Sequence, residues 1–221
     1  MKRHKKTCSY YPVLLNIQGK KCLVVGGGKV ALRKVKALLE HGANIEIVSP
    51  DFCPELEQLA QEGAIKATHR DYKPEDLEDA FITIAATDDN KINDKVSAEA
   101  RRVGIPVNVV DDPNSSDFIA PSYFRRGDII VAVSTSGRSP ALASKIRSEL
   151  ERDFQPEYAK LALLADEVRS ELKQQGVTIS SNAWQEALRL NSLIELLRRG
   201  KDREAKEIML SKLKILAQKE L

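Results

Sequence analysis

The sequence lacks the features that would place it in a membrane, secreted or nucleic-acid-binding class. It contains no apolar run approaching the roughly eighteen residues of a membrane span. The basic segment at residues 1–6 is followed by no apolar stretch of the secretory kind. The net charge of +3, much of it in that segment, is too small to indicate a nucleic-acid partner. We therefore expect a cytoplasmic protein that binds neither membrane nor nucleic acid.

Cysteine and histidine are also scarce. The three cysteines form no C-x-x-C pair, and their odd number leaves at least one outside any disulfide. The three histidines are too far apart in the sequence to suggest a metal site. The pattern indicates structural thiols in a reduced compartment and no resident metal ion. The cysteines are Cys8, Cys22 and Cys53.

The first half of the chain alternates between strand and helix patterns. Short continuous apolar runs, such as residues 21–25, are typical of parallel strands that are covered on both faces. Stretches with helical periodicity separate these runs. The predicted strands are residues 21–25, 45–48, 64–68, 81–86 and 106–110, and the predicted helices are 30–41, 54–62 and 91–103. This alternation predicts an α/β fold with a Rossmann-like parallel sheet.

The pattern changes at residues 111–116, where Asp, Asn, Ser and Pro follow one another and predict a domain boundary. A strand at 118–120, a turn at 126–128 and a strand at 129–133 are expected next. Ser139 and Pro140 then begin a helix, because Ser is a favoured N-cap and Pro a favoured first helical residue.

The last third of the chain, from Pro156, has helical periodicity and many charges. Two apolar stripes are expected to face a core, one formed by Leu161, Leu164, Val168 and Leu172 and the other by Leu190, Leu193, Ile194 and Leu197. We therefore predict a Rossmann domain at 1–113, a small α+β segment at 114–152 and a C-terminal helical domain at 153–221.

A glycine-rich motif follows the first predicted strand and begins the first predicted helix. In the pattern G-x-G-x-x-A, Gly26 permits a tight turn, Gly28 lets the backbone approach a pyrophosphate, and Ala31 keeps the helix close to the sheet. The N–H groups of the first helical turn, which includes Lys29 and Val30, would bind the phosphates. The alternative is a glycine turn that only connects a strand to a helix.

Two further segments are expected near the cofactor. Ser49, Pro50 and Asp51 end the second strand, and Asp51 is placed to bind the adenosine ribose. No arginine follows closely to bind a 2′-phosphate, so NAD is favoured over NADP. The alternative for Asp51 is an acid ahead of the helix that begins at Pro54. Thr87 ends the fourth strand at the ligand-binding edge, although the acids that follow it would equally cap the next helix.

Six stretches, in order, resemble the precorrin-2 dehydrogenase/sirohydrochlorin ferrochelatase family, which completes sirohaem synthesis. They are residues 11–15, 24–31 with Arg33-Lys34, 85–89, 107–111, 118–122 and 131–140. The resemblance implies NAD-dependent oxidation of precorrin-2 to sirohydrochlorin by a homodimer whose middle segment, residues 114–152, is the dimerisation segment. It also implies that Asp111 is the catalytic aspartate. Asp111 is suited to taking up the released proton, because a carboxylate partly removed from water has a raised pKa. The alternative is that Asp111 only starts the Asp-Asp-Pro turn.

The implied substrate is a tetrapyrrole with many carboxylates, so cationic and hydrogen-bonding groups should line its site. Besides Asp111, we expect contacts from the loop before the Ser139 helix: Ser134, Thr135, Ser136 and Arg138. Further basic residues at 125–152 are alternatively a solvated helix face. Insertion of ferrous iron stays open, with Asp111 as a transient ligand. A different class, a dinucleotide-sensing regulatory module without catalysis, would share the glycine motif.

Overall fold

A computed structural model describes residues 10–219, which divide between two compact units at Ala120 and Pro121. The basic tail, His4 and Cys8 lie outside the described residues. Cys22, in the first strand, is buried, and Cys53 is half-buried; both are free thiols. Burial raises the pKa of the Cys22 thiol to about 11, so this side chain is an inert apolar group in the core.

The first unit contains a five-stranded parallel sheet in the order β3-β2-β1-β4-β5. This confirms the Rossmann-like prediction. The elements are β1 (Lys21–Val25), α1 (Lys29–Leu39), β2 (Asn44–Ser49), α2 (Pro54–Gln61), β3 (Lys66–His69), a 3-10 turn (Pro74–Leu77), β4 (Ile82–Ala85), α3 (Asn90–Arg102) and β5 (Val107–Val109).

Both faces of this sheet are covered, which explains the continuous apolar runs. Along β1, Cys22 and Val24 pack in the core that contains α1, whereas Leu23 and Val25 pack in the core that contains α3. The strand order reverses between β1 and β4. Ligands of open α/β sheets bind at the carboxyl ends of the strands beside such a reversal. The fold therefore places the glycine motif, which follows β1, at this crevice.

The segment after β5 differs from the prediction. The expected strand at 118–120 is wrong, and the next strand, β6, begins at Ser122. Residues 116–118 instead hydrogen bond to β5: Ser116 Oγ accepts from the Val109 amide at 2.8 Å, and the Asp117 amide donates to the Val107 carbonyl at 2.7 Å. These bonds keep the segment up to Ala120 with the first unit. The division at 113 and 152 stays a prediction.

The second unit is a hairpin followed by helices: β6 (Ser122–Arg126), β7 (Ile129–Val133), α4 (Pro140–Asp153), α5 (Glu157–Gln174), α6 (Ser181–Ala187), α7 (Leu190–Arg198) and α8 (Asp202–Lys219). Ser139 caps α4 by accepting a hydrogen bond from the Leu142 amide at 3.2 Å, as predicted. Among the described residues, no helix is both long and apolar enough to cross a membrane.

The two predicted apolar stripes form the core of the helical part. All four residues of the first stripe, on α5, are buried. In the second stripe Leu193, Ile194 and Leu197 are buried, but Leu190 is 45% exposed. Leu190 is the first residue of α7, so it lies at the helix end rather than within the packed face.

Candidate functional site

The glycine turn is wedged between the carboxyl ends of β2 and β4. Gly26 has φ +123°, which side chains rarely adopt, and a Cβ there would lie 2.3 Å from the Ala86 carbonyl oxygen. Its amide donates to the Val48 carbonyl at 2.9 Å, and the Ala86 amide donates to Val25 at 2.8 Å. Gly26 therefore meets both a conformational and a steric requirement.

Gly27 is the glycine that the sequence analysis missed. A Cβ at Gly27 would lie 1.8 Å from the Asp51 carbonyl oxygen, and the Gly27 carbonyl accepts from the Cys53 amide at 2.8 Å. The segment after β2 thus packs directly on the turn. The only signal in the sequence was a third glycine at a position where the motif accepts any residue.

Gly28 differs from both neighbours, because a Cβ built on it meets nothing within 4 Å. It is the N-cap of α1, offers no capping side chain, and is followed by no acid in the first turn. The first amides of a helix have no intrahelical partner and attract anions. Lys29 and Val30 are exposed beside this opening, while Ala31 is buried against the sheet. An open, donor-lined helix start fits a pyrophosphate.

The end of β2 lies where the adenosine side of a dinucleotide is expected. Ser49 Oγ would be 2.9 Å from a Cβ on Gly27, so this hydroxyl is beside the turn. Pro50 and Asp51 are exposed. The N-cap of α2 is Cys53, so Asp51 does not cap that helix. The structure therefore brings Ser49, Pro50 and Asp51 to the glycine turn.

An arginine beside this segment, Arg70, is already paired. The Arg70 amide donates to the Ser49 carbonyl at 3.1 Å, which places Arg70 beside the end of β2. Its guanidinium donates two hydrogen bonds to Asp76, at 2.8 and 2.6 Å. Because this bidentate pair uses the guanidinium fork, Arg70 is not available for a 2′-phosphate.

Thr87 also reaches the glycine turn, since its amide nitrogen would lie 3.1 Å from a Cβ on Gly26. Asn93, a buried residue of α3 absent from the sequence predictions, holds Thr87 in place. The Thr87 hydroxyl donates to Asn93 Oδ1 at 2.9 Å, and Asn93 Nδ2 donates to the Thr87 carbonyl at 2.9 Å. Asp89 accepts a hydrogen bond from the Lys91 amide at 2.8 Å and caps α3, which was the alternative role considered for the acids after Thr87.

Asp111 lies two residues beyond β5 on the same edge of the sheet. The preceding amide, of Val110, donates to the Ala85 carbonyl at 2.9 Å, which ties this point of the chain to β4. Asp111 has φ +61°, a left-handed conformation that Asp tolerates better than most residues. Its side chain is exposed. The residues of this chain therefore leave the Asp111 carboxylate open to water.

The turn after β5 is stabilised by Asp112 rather than by Asp111. Asp112 Oδ1 accepts from the Asn114 amide at 2.9 Å and from the Ser115 amide at 3.2 Å. Hydrogen bonds from Ser115, with that from Asn114, lower the pKa of Asp112 below its usual value. Within residues 10–219, the Asp111 side chain forms no hydrogen bond or salt bridge. The Asp111 carboxylate therefore takes no part in the hydrogen bonds of the turn.

The predicted substrate loop belongs to the second unit and connects β7 to α4. Its Thr135 hydroxyl accepts from the Ser139 amide and donates to the Ser139 carbonyl, both at 3.0 Å, so it closes the loop. Ser134 Oγ accepts from the Ser136 amide at 3.1 Å. Ser134, Ser136 and Arg138 are exposed. The loop is thus pre-shaped by Thr135, with its other polar groups facing solvent.

Several basic residues near this loop pair with acids. Lys145 contacts Glu149 at 3.2 Å, and Arg147 pairs with Glu151, one helical turn along α4 in each case. The Lys145–Glu149 pair is exposed, contributes little to stability and is typical of a solvated helix face, whereas Arg147 and Glu151 are half-buried. Within the described part of the chain, no group of three or more His, Cys, Asp or Glu side chains could hold a metal ion.

Comparison with known proteins gives a consistent result. A family model described as NAD(P)-binding matches residues 13–122, and one described as the sirohaem biosynthesis protein central domain matches residues 126–153. The chain is similar to the siroheme synthase of Nitrosomonas europaea, with 41% identity over 203 residues, which are 90% of this chain and 42% of that protein. It is also similar to the siroheme synthase of Stutzerimonas stutzeri, with 36% identity over 96% of this chain and 46% of that protein.

The chain thus spans less than half the length of these curated relatives. Among solved structures, SirC, precorrin-2 dehydrogenase, superposes with a TM-score of 0.64 and 27% sequence identity. This superposition covers 90% of the present chain and 98% of SirC. The likeness therefore extends over nearly all of that solved chain.

Proposed function

We propose that the chain belongs to the precorrin-2 dehydrogenase/sirohydrochlorin ferrochelatase family and that it oxidises precorrin-2 to sirohydrochlorin with NAD as electron acceptor. The observation that carries the proposal is the likeness to SirC over nearly the whole of that protein. The site geometry supports it, because an open helix start and an unpaired aspartate lie at one edge of the sheet.

NAD, when bound, accepts the hydride that leaves the substrate. In this proposal the pyrophosphate lies at the start of α1, against Gly26, Gly28, Lys29, Val30 and Ala31. The end of β2, residues 49–51, binds the adenosine ribose through Asp51, and Thr87 borders the cofactor. NAD is preferred to NADP, because Arg70 is engaged by Asp76 and a 2′-phosphate beside Asp51 would be repelled.

Asp111 acts as the general base in the same proposal. Each turnover releases a hydride and a proton from precorrin-2, and the exposed carboxylate takes the proton. Since this chain alone leaves Asp111 in contact with water, the bound tetrapyrrole itself must exclude water around it. In the same proposal, Ser134, Thr135, Ser136 and Arg138 also contact the substrate.

The test of this proposal is anaerobic incubation of the protein with precorrin-2 and NAD. We expect NADH absorbance to appear together with sirohydrochlorin, and a slower reaction when NADP replaces NAD. A folded protein that is stabilised against heat by NAD but produces no NADH would instead be a dinucleotide-sensing module. Addition of ferrous iron after oxidation is complete then tests chelation separately, with sirohaem formation as the readout.

We further propose that the chain acts in the cytoplasm as a homodimer through residues 114–152. Light scattering during size exclusion is expected to give twice the mass of one chain. Substituting Ile130, half-buried on β7, with Glu should shift the mass toward that of a single chain, because a charge would enter the interface. The control is Ser170→Glu, an exposed position on α5 outside residues 114–152, which should leave the mass unchanged. A single-chain mass for the unmodified protein would contradict the proposed dimer.

A further inference from the structure

Lys34 occupies an unusual position on α1. The face of this helix that packs on the sheet is formed by Ala31, Leu32, Val35 and Leu38, all buried. Lys34 is three residues after Ala31 and four before Leu38, so it lies at the border of this face. Apolar residues are expected at such positions. Lys34 is half-buried, so its role is not simply that of an exposed charge that keeps the protein soluble.

Lys34 also differs from the other lysines in its surroundings. Four described lysines are half-buried, and Lys34 alone among them forms neither a hydrogen bond nor a salt bridge within residues 10–219. A half-buried ammonium without a partner is unfavourable, since it loses water without compensation. The other three each pair with carboxylates: Lys21 with Glu46, Lys206 with Glu167 and Glu171, and Lys212 with Glu186.

The charged groups that interact with Lys34 include Asp111, at the edge of the sheet where the cofactor is expected. Burial lowers the pKa of the Lys34 ammonium, and the adjacent Arg33 lowers it further, while the Asp111 carboxylate acts in the opposite direction. Asp111 is therefore near enough to interact with Lys34 electrostatically but does not form a salt bridge with it. A polyanionic substrate at Asp111 would be repelled by that carboxylate unless a cation lay beside it.

We propose that Lys34 binds a peripheral carboxylate of the tetrapyrrole next to Asp111. This inference rests on the proposed function for the identity of the substrate. The incoming carboxylate gives the half-buried ammonium the partner that the chain itself does not provide, and a charge-assisted hydrogen bond results. Lys34 then contributes to substrate affinity and to the seating of the ring beside the base, whereas Asp111 carries out the proton transfer.

The experiment compares Lys34→Met, which keeps the length of the side chain, with Lys34→Arg, which keeps the charge. Lys36→Met is the matched control, because Lys36 is exposed on the same helix. With saturating NAD, Lys34→Met is expected to raise the KM for precorrin-2 about tenfold, as loss of one partly exposed charge-assisted hydrogen bond would. Its kcat should change less than about twofold. Lys34→Arg and Lys36→Met should have KM values close to that of the unmodified protein.

A binding measurement separates this inference from the proposed reaction. Uroporphyrin, a stable tetrapyrrole octacarboxylate, is titrated into each variant and followed by its fluorescence. Weaker binding to Lys34→Met, but not to Lys36→Met, supports the inference whether or not the protein oxidises precorrin-2. Equal uroporphyrin affinity in both variants overturns it. A lowered kcat with a shifted pH profile and an unchanged KM also overturns it, because Lys34 would then act through Asp111.

Loss of the fold does not obscure these outcomes. Methionine suits the buried face of α1, and it removes an unpaired charge, so the melting temperature of Lys34→Met should be no lower than that of the unmodified protein. Absence of NADH formation by the unmodified protein would refute the proposed function alone, and the uroporphyrin titration would still decide the role of Lys34.

Discussion

Substitution of Asp111 by asparagine is expected to lower kcat for precorrin-2 oxidation by about a hundred- to ten-thousandfold, the usual contribution of a general base. Asparagine has nearly the same shape but cannot take up a proton. It also tolerates the left-handed conformation at φ +61°, so the backbone after β5 should not change. NAD affinity, measured by thermal stabilisation, should stay within about twofold, because the glycine turn is untouched.

Two further variants separate the carboxylate from the backbone at Asp111. Asp111→Gly removes the carboxylate and accepts positive φ, so it should be as inactive as Asp111→Asn but no less stable. Asp111→Ala should be inactive and also less stable than Asp111→Gly by about 1 kcal/mol, since alanine is strained in this conformation. Asp88→Asn, an exposed acid after β4, is the control for charge alone. Activity of Asp111→Asn within tenfold of the unmodified protein would remove Asp111 from the mechanism.

The second large effect is expected at the glycine turn, where adjacent positions should respond oppositely. Gly27→Ala places a methyl group 1.8 Å from the Asp51 carbonyl oxygen, so the backbone must move. We expect the free energy of unfolding to fall by about 3 kcal/mol, as for severe overpacking. The melting temperature without ligand should fall by several degrees.

Gly28→Ala has room for its methyl group and ordinary backbone angles, with φ −86°. Its melting temperature without NAD should therefore be unchanged or slightly higher. The added methyl would instead occupy the space proposed for the pyrophosphate, so NAD affinity should fall at least about tenfold, which removes about 1.4 kcal/mol of ligand stabilisation. Differential scanning fluorimetry with an NAD series measures both quantities. Full NAD stabilisation of Gly28→Ala would mean that the helix start does not bind the cofactor.

Much of the fold could be predicted from local patterns. All five strands and three α-helices of the first unit were expected, with boundaries that differ by at most two residues. A strand that is buried on both faces has a continuous run of apolar residues, and a helix that is buried on one face has apolar residues with a period near 3.6. These elements can therefore be predicted without knowledge of contacts distant in sequence. The same holds for the Ser139 cap, which depends only on the next three residues.

The failures have a common cause. Residues 118–120 have an apolar character suited to a strand. The residues just before them hydrogen bond to β5 instead, and no local sequence pattern indicates these bonds. Gly27 resembled a spacer because the group that requires it, the Asp51 carbonyl, is 24 residues away. Asn93 resembled any polar helix residue until its bonds to Thr87 were known.

The sequence by itself determined the class of fold and the position of the cofactor turn, and its resemblance to a known family indicated Asp111 as the candidate catalytic aspartate. The fold class and the turn depend on periodicity and on residue types that one short segment must contain. Only the tertiary structure decided that Gly27 is required by packing while Gly28 faces open space, that Asp111 is exposed, and that Lys34 is half-buried without a salt bridge. Steric room, exposure and charge pairing depend on atoms from distant parts of the chain. A local sequence pattern therefore cannot predict them.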